Sequence, residues 1–519
     1  VAIRMRLAAF LLLASATVAF QIPTREEKVA AWSRLTTVKD FKDGVPDELK
    51  MVFVNTIWRH GDRGPTGLFP GDKLTEEDWD FGGGGYGELS PIGMRQHYEL
   101  GMKLYDRYAA DDKFLSSRYR AKEIYVRSTD SNRTVISAMS NFAGMYSRPT
   151  AINGTDFPEI EEWPTNFVPI PIHMPGPRSS DHVGDPESRC ARYDDLWDLA
   201  HQHPEYIAFN NKARTQQTLD YLRQNTNSNA DDINFDNVNL IAEGMLCESI
   251  HFPDNFSTWY PWYSEDVKQR TTEINNQNID FENGIFGSGM IQGYDLTLEM
   301  PPVRGGSLLN DVVDRANGVL DCYVFKNNLG GNTRCSESDH FLSNLKYYVL
   351  SAHDTTIGAF LTVLEAKPYV IANGGYSAYS SAVILEFFID TANGNDRKFR
   401  VLFHDDENSD FRVITPMVGG CLMGEDFCSI SHLQELADKY APKPNIDELC
   451  AQRINGPAEL TTVVVPVSST SPTPSTTKKG DDGTQTTITV PAPPSTTSPS
   501  SLFSCLSATA VLIISKMLI

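Results

Sequence analysis

Val52-Phe53-Val54-Asn55-Thr56-Ile57-Trp58-Arg59-His60-Gly61-Asp62-Arg63-Gly64-Pro65 changes character half-way along. Its first half is mostly apolar and β-branched and reads as a buried strand. Its second half presents two arginines, a histidine and an aspartate, then stops at a glycine and a proline. Charges at the end of a buried strand are costly unless something pairs with them. In open α/β sheets the carboxyl ends of strands are where ligands sit. Two guanidiniums beside one imidazole form a receptor for phosphate, because the guanidinium fork matches phosphate oxygens in pairs. The imidazole can then attack phosphorus. The competing reading, a solvated turn, fits poorly with so few small polar residues after the strand.

Two further stretches repeat the pattern. Glu123-Ile124-Tyr125-Val126 reads as a second buried strand with Arg127 emerging at its end, followed by a helix from Asp130 through Val135, Met139 and Phe142. Tyr347-Tyr348-Val349-Leu350-Ser351 reads as a third, ending in His353-Asp354. The competing reading makes Arg63 and Arg127 core ion-pair partners and Asp354 the N-cap of a helix from Thr355. Asp62 reads as support for the arginines. Ser381 to Ile389 and Phe399 to Phe403 form a hairpin around Asn393-Gly394, expected to complete the sheet at its edge.

Between these strands the chain is punctuated. Gly82 to Gly87 reads as a flexible loop, since no GK[ST] follows it. Ser90-Pro91 opens a helix with apolar spacing through Met94, Leu100 and Leu104. From about Thr150 to Met300 proline clusters give way to helical periodicity, at Tyr193 to His201 and Thr215 to Leu222, with little strand alternation. This segment is expected to be a helical cap that walls the pocket and selects the leaving group. His97, His173, His182, His201, His203 and His251 read as structural, because none has the further ligands a metal needs.

Arg59-His60-Gly61-x-Arg63-x-Pro65 resembles the signature of the histidine acid phosphatases. Val126-Arg127-Ser128-Thr129-Asp130 and Ser351-Ala352-His353-Asp354-Thr355-Thr356 extend the resemblance to the prostatic and lysosomal kind of animal enzyme, over roughly residues 50–450. The resemblance implies an α/β fold with a three-layer, phosphoglycerate-mutase-like core, a mainly parallel sheet and an inserted, mainly α-helical cap domain. It implies His60 as nucleophile and Asp354 as proton donor, with Arg59, Arg63, Arg127 and His353 holding phosphate, and neither metal nor cofactor. Small-molecule or peptide phosphomonoesters are the expected substrates, with a homodimer implied by the family. A phytase-like inositol phosphate phosphatase and an inactive surface-display protein are the alternatives.

The ends carry addresses. Arg6 followed by the apolar run Leu7 to Ala19 reads as a secretory signal peptide. The expected layout is a signal at 1–19, the core at 20–149 and 301–455, the cap at 150–300, a Ser/Thr/Pro-rich stalk at 456–501 and an apolar tail at 502–519. The tail reads as a GPI-attachment signal, with a tail-anchored helix as the alternative. The expected location is the secretory pathway, at an extracellular, lysosomal or gut-lumen surface. A net charge of −22 over 519 residues argues against nucleic-acid or anionic-membrane binding by the body of the protein.

Eight cysteines agree with export. The resemblance implies that Cys190 pairs with Cys450 and Cys421 with Cys428. Cys322 and Cys335 bracket a Gly-Gly-Asn stretch that looks inserted relative to the family, and are expected to close a local loop. The family's usual partner for Cys247 is replaced near Ser380, a departure from the resemblance that makes Cys247 a candidate free thiol, and Cys505 lies in the tail. Asn153 and Asn255 head glycosylation sequons; Asn132 does too, but beside the pocket, where a glycan would crowd it.

Overall fold

The computed structural model describes residues 32–454, apart from 330–334, 336–339 and 372. The expected signal, stalk, tail and Cys505 lie outside the described residues. Among the described residues there are ten strands: β1 (Thr37–Val38), β2 (Leu49–Arg59), β3 (Ile124–Ser128), β4 (Met290–Ile291), β5 (Tyr294–Asp295), β6 (Tyr347–Ala352), β7 (Ala382–Asp390), β8 (Asp396–His404), β9 (Phe411–Val413) and β10 (Cys428–Ser429). β4 and β5 pair with each other. The remaining strands form one sheet in the order β1-β9-β8-β7-β2-β6-β3, with β10 on β8.

β6 runs parallel to both β2 and β3, while every other pairing in this sheet is antiparallel. The sheet is therefore mixed, and mainly parallel order is confined to the strands that carry the candidate site. The β7–β8 hairpin does not sit at the edge either. β7 lies directly against β2, from Leu49↔Asp390 to Trp58↔Ala382, so β2 is flanked on both sides. That explains its burial, complete or nearly so from Met51 to Trp58. A strand covered on both faces reads as a continuous apolar run.

Helices cover both faces. α1 (Pro91–Tyr108) starts at Ser90, whose hydroxyl accepts from the Gly93 amide at 3.1 Å, with proline at the first turn as expected. α2 (Asn132–Tyr146) packs beside it. On the opposite face α3 (Ser307–Lys326) and α4 (Asp354–Val363) share an apolar core with β2, β6 and β7. The stretch from 191 to 282 is helical throughout its major elements, including Asn239–His251 and Glu265–Glu282. It has an apolar cluster of its own, built on Tyr206, Leu222, Phe235, Ile241 and Ile274, to which Phe69 from the loop after β2 contributes. Disulfides join Cys190 to Cys450, Cys322 to Cys335 and Cys421 to Cys428, the pairings expected. Cys247 is buried and free.

One buried ionic cluster ties the N-terminal segment to the sheet. Glu386 on β7 accepts from Arg107 at 2.6 and 3.0 Å, from Arg400 at 2.7 Å and from the Tyr108 hydroxyl at 2.6 Å. The two guanidiniums also donate to the carbonyls of Lys39, Asp40, Phe41 and Asp43. Burial alone would raise the Glu386 pKa, but Arg107 and Arg400 outweigh it and bring it below the ordinary 4.5. A depressed carboxylate stabilises the fold above about pH 4.5 and loses that contribution as pH falls through the folded value. The cluster therefore stays intact at pH 5. Glu386→Ala strands two buried cations, and an expected loss of about 3–5 kcal/mol in denaturant unfolding checks this.

Candidate active site

β2 and β6 lie side by side, and their last residues deliver the chemistry. The His60 amide donates to the Ala352 carbonyl at 3.0 Å, which holds the two strand ends together. The His60 and His353 rings are 5.7 Å apart, centroid to centroid. Arg59, His60, Arg63, His353 and Asp354 line one cavity of about 850 Å³.

The loop carrying His60 is seated on α1 by backbone. A Cβ on Gly61 would meet the Gly93 carbonyl oxygen at 2.4 Å, and one on Gly93 would meet the Asp62 carbonyl at 2.2 Å. Only glycines permit that approach. The Asp62 amide donates to Gln96 Oε1 at 2.8 Å, and His97 Nε2 donates to the Arg59 carbonyl at 2.9 Å. His97 is thus structural, and burial lowers its pKa to about 4. Asp62 does not reach the arginines. It accepts from the Ser90 hydroxyl at 2.5 Å and meets His251 Nε2 at 2.6 Å. It therefore anchors the helix Asn239–His251 to the loop, and His251 has a site-adjacent partner that its sequence context did not reveal.

His60 Nδ1 lies 2.8 Å from the carbonyl of Gly61. A carbonyl can only accept, so Nδ1 carries the proton and Nε2 keeps its lone pair. Burial first, then the charges of Arg133, Arg63 and Arg59, push the His60 pKa well below 6.5. The shift favours the neutral, nucleophilic imidazole. His353 is shifted the same way, by burial and then Arg133, and its Nε2 meets Thr129 Oγ1 at 2.9 Å.

Arg59 donates to Asp354 at 2.7 Å and to the Ser377 carbonyl at 2.5 Å, and stacks 4.2 Å over the Tyr379 ring. Arg63 pairs with Glu243; burial disfavours its charge, and Glu243 more than offsets this, raising its pKa. Burial would raise the Asp354 pKa, but Arg59 and Arg63 hold it below 3.8. Cys247 Sγ lies 3.8 Å from the Tyr379 hydroxyl, and burial pushes the thiol up to about 12.

Arg127 departs from expectation. It does not line the cavity but pairs with buried Asp181. Alternate strand residues share a face, and Tyr125 and Arg127 lie on the side where Tyr125 stacks on His173 and Tyr348. The third cavity arginine is Arg133, in the first turn of α2, with a guanidinium nitrogen 3.5 Å from His353 Nδ1. Its pKa is lowered to about 10 by burial and then by the neighbouring charges of Arg63 and Arg178. Asn132 donates to Glu88 at 2.9 Å beside it; Asn132, Asn153 and Asn255 are all exposed. Among the described residues no cluster of His, Cys, Asp and Glu could hold a metal, and no helix is long and apolar enough to cross a membrane.

The model of the histidine phosphatase superfamily, branch 2, matches residues 50–404. The chain belongs to that family. A Caenorhabditis elegans protein whose name assigns it provisionally to the acid phosphatases is 34% identical over 80% of this chain and 91% of its own length. Human lysosomal acid phosphatase is 29% identical over 79% of this chain and 82% of its own length. Among solved structures, the phytase from Citrobacter braakii superposes with a TM-score of 0.51 at 14% identity, covering 77% of this chain and 99% of that one. At that identity the likeness concerns the fold. This histidine phosphatase is therefore an enzyme of the acid phosphatase kind, with a mixed central sheet between helices.

Proposed function

We propose that this histidine phosphatase hydrolyses phosphate monoesters in acid through a phosphohistidine on His60. The observation that carries the reading is the His60 ring: Nδ1 held by a carbonyl, Nε2 unprotonated, with Arg59, Arg63 and Arg133 around it. The arginines bind the phosphate oxygens and stabilise their charge during transfer. His60 Nε2 attacks phosphorus in line, and the P–O ester bond breaks with its electron pair on the leaving oxygen. Asp354 protonates that oxygen. Water then attacks phosphorus, the P–N bond breaks, and Asp354 accepts the water's proton.

Arg59 and Arg63 hold the Asp354 carboxyl below its ordinary range, so the proton it delivers comes with the substrate. Phosphate monoesters have a second pKa near 6 and are largely monoanions at pH 5. A bound phosphate also draws off the positive field of Arg59, which lets Asp354 hold the proton. The kcat/KM profile is therefore expected to fall above about pH 6 as the monoanion disappears. A profile that is flat or rising to pH 8 would remove this role for the substrate proton.

The helices between 191 and 282 act as the cap that selects the leaving group. Among the described cavity residues the cations outside the phosphate cluster are Arg178 and Lys268. Arg178 already pairs with Asp185 and Glu187, and Lys268 faces Glu265 at 3.7 Å. An inositol hexakisphosphate would bring five more phosphates to a wall without spare cations. Single-phosphate esters fit better, including aromatic ones that meet Phe256 and Tyr263. In a panel of p-nitrophenyl phosphate, phosphotyrosine, β-glycerophosphate and inositol hexakisphosphate at pH 5, the last is expected to have at least about tenfold lower kcat/KM. Preference for it would favour the phytase reading, and no turnover of any would favour the display reading. Three disulfides fit a secretory route, with the tail as a membrane attachment and phosphatidylinositol-specific release as its test.

A further inference from the structure

At the far end of the sheet from His60, a cavity of about 1290 Å³ opens where β2, β3 and β6 begin. Lys50 lies nine residues before Arg59 on β2, about 30 Å away at the rise of a strand. Seven of the lining side chains are cationic: Lys42 and Lys50 from the N-terminal segment, Lys113, Arg120 and Lys122 from the stretch before β3, and Lys326 and Lys346 flanking the entry to β6. Two carboxylates, Asp47 and Glu123, line it with them. Lys113 bonds Asp40 at 2.5 Å and Lys346 bonds Glu123 at 2.8 Å. Lys50, Arg120 and Lys122 are exposed, and among the described residues none of the three has a salt bridge. This local excess of positive charge belongs to a chain whose net charge is −22. Like charges held together on an acidic protein repel one another unless an anion joins them.

We infer that this groove binds a sulfated polysaccharide. Seven cations around a cavity of about 1290 Å³ are more charge and more space than one phosphate can occupy. They match instead a strand of repeating charge. The floor includes the half-buried rings of Phe41, Phe114 and Tyr323, surfaces suited to the apolar faces of sugar rings. Sulfate esters remain ionised in acid, where lysine and arginine remain cationic. Binding there would leave the catalytic cavity open.

The test uses the purified enzyme on heparin-agarose and on a desulfated heparin resin, eluted with salt at pH 5.5. Retention is expected on the sulfated resin alone. The triple variant Lys50→Gln/Arg120→Gln/Lys122→Gln is expected to bind heparin at least about tenfold more weakly, with a salt slope reduced by roughly three. Its turnover of p-nitrophenyl phosphate should be unchanged, which also reports that it is folded; if that variant does not fold, Lys122→Gln alone serves in the same assay. The assignment would be overturned by no retention of the wild type, by equal retention of the variant, or by elution by inorganic phosphate at a concentration that fills the catalytic cavity. Equal retention on immobilised polyglutamate would also overturn it, in favour of an acidic peptide partner.

Discussion

His60→Ala is expected to lower kcat for p-nitrophenyl phosphate by about 10⁴-fold or more, because it removes the imidazole whose Nδ1 is held by the Gly61 carbonyl and whose Nε2 is free to attack. In the wild-type enzyme, quenching a reaction with labelled ester should trap label on a fragment containing His60, stable in alkali and lost in acid. The variant should trap none, yet remain folded, since it loses a neutral ring rather than one partner of a buried ion pair. His60 is buried and its Nδ1 is committed to the Gly61 carbonyl, so a small residue leaves space without stranding a charge. Label on any other residue, or substantial turnover by the variant, would exclude His60 as nucleophile.

Arg133→Ala is the second large effect, and its comparison with Arg127→Ala separates two roles that the sequence merges. Arg133 lines the cavity beside His353, so its loss is expected to cost about 10³-fold in kcat/KM, the scale of removing one preorganised charge from a transition state. It should also change the pH profile. After burial, Arg133 is the largest cause of the low His60 pKa. Without it that pKa rises toward 6.5, and the neutral nucleophile is lost at a higher pH as acid is added. The acid limb of kcat/KM therefore moves upward. Arg127→Ala should cost less than about tenfold in activity and instead lower stability by about 3 kcal/mol, because Asp181 is left buried without its partner. A larger catalytic loss at Arg127 would return that residue to the phosphate.

The difference between these arginines shows what a sequence can and cannot display. Arg59, His60, His353 and Asp354 were legible because each follows a buried apolar run at once, and a charge there must face a ligand or a partner. Arg127 satisfies the same rule and took the partner, Asp181, which lies 54 residues away in a segment with no regular pattern. Arg133 stands in the first turn of the next helix, where anions gather at unpaired amides; that signal was present but lacked the strand-end context. Glu243, which holds Arg63 from 180 residues downstream, left no local trace. The hairpin itself was visible from its alternation and turn. Its insertion beside β2 was not, because periodicity specifies a strand's faces and not its neighbour.

The mutual approach of Gly61 and Gly93 has a bearing on how this enzyme tolerates change. Two main chains in direct contact define where the attacking nitrogen sits, so its placement survives repacking of surrounding side chains that would shift a residue held by rotamers alone. The same contact leaves no slack: a single methyl at either position would have to lever the catalytic loop away from its supporting helix. Variation in such a protein is free to accumulate on the cap and surface, where it retunes substrate choice, while the cradle of the reaction admits almost none.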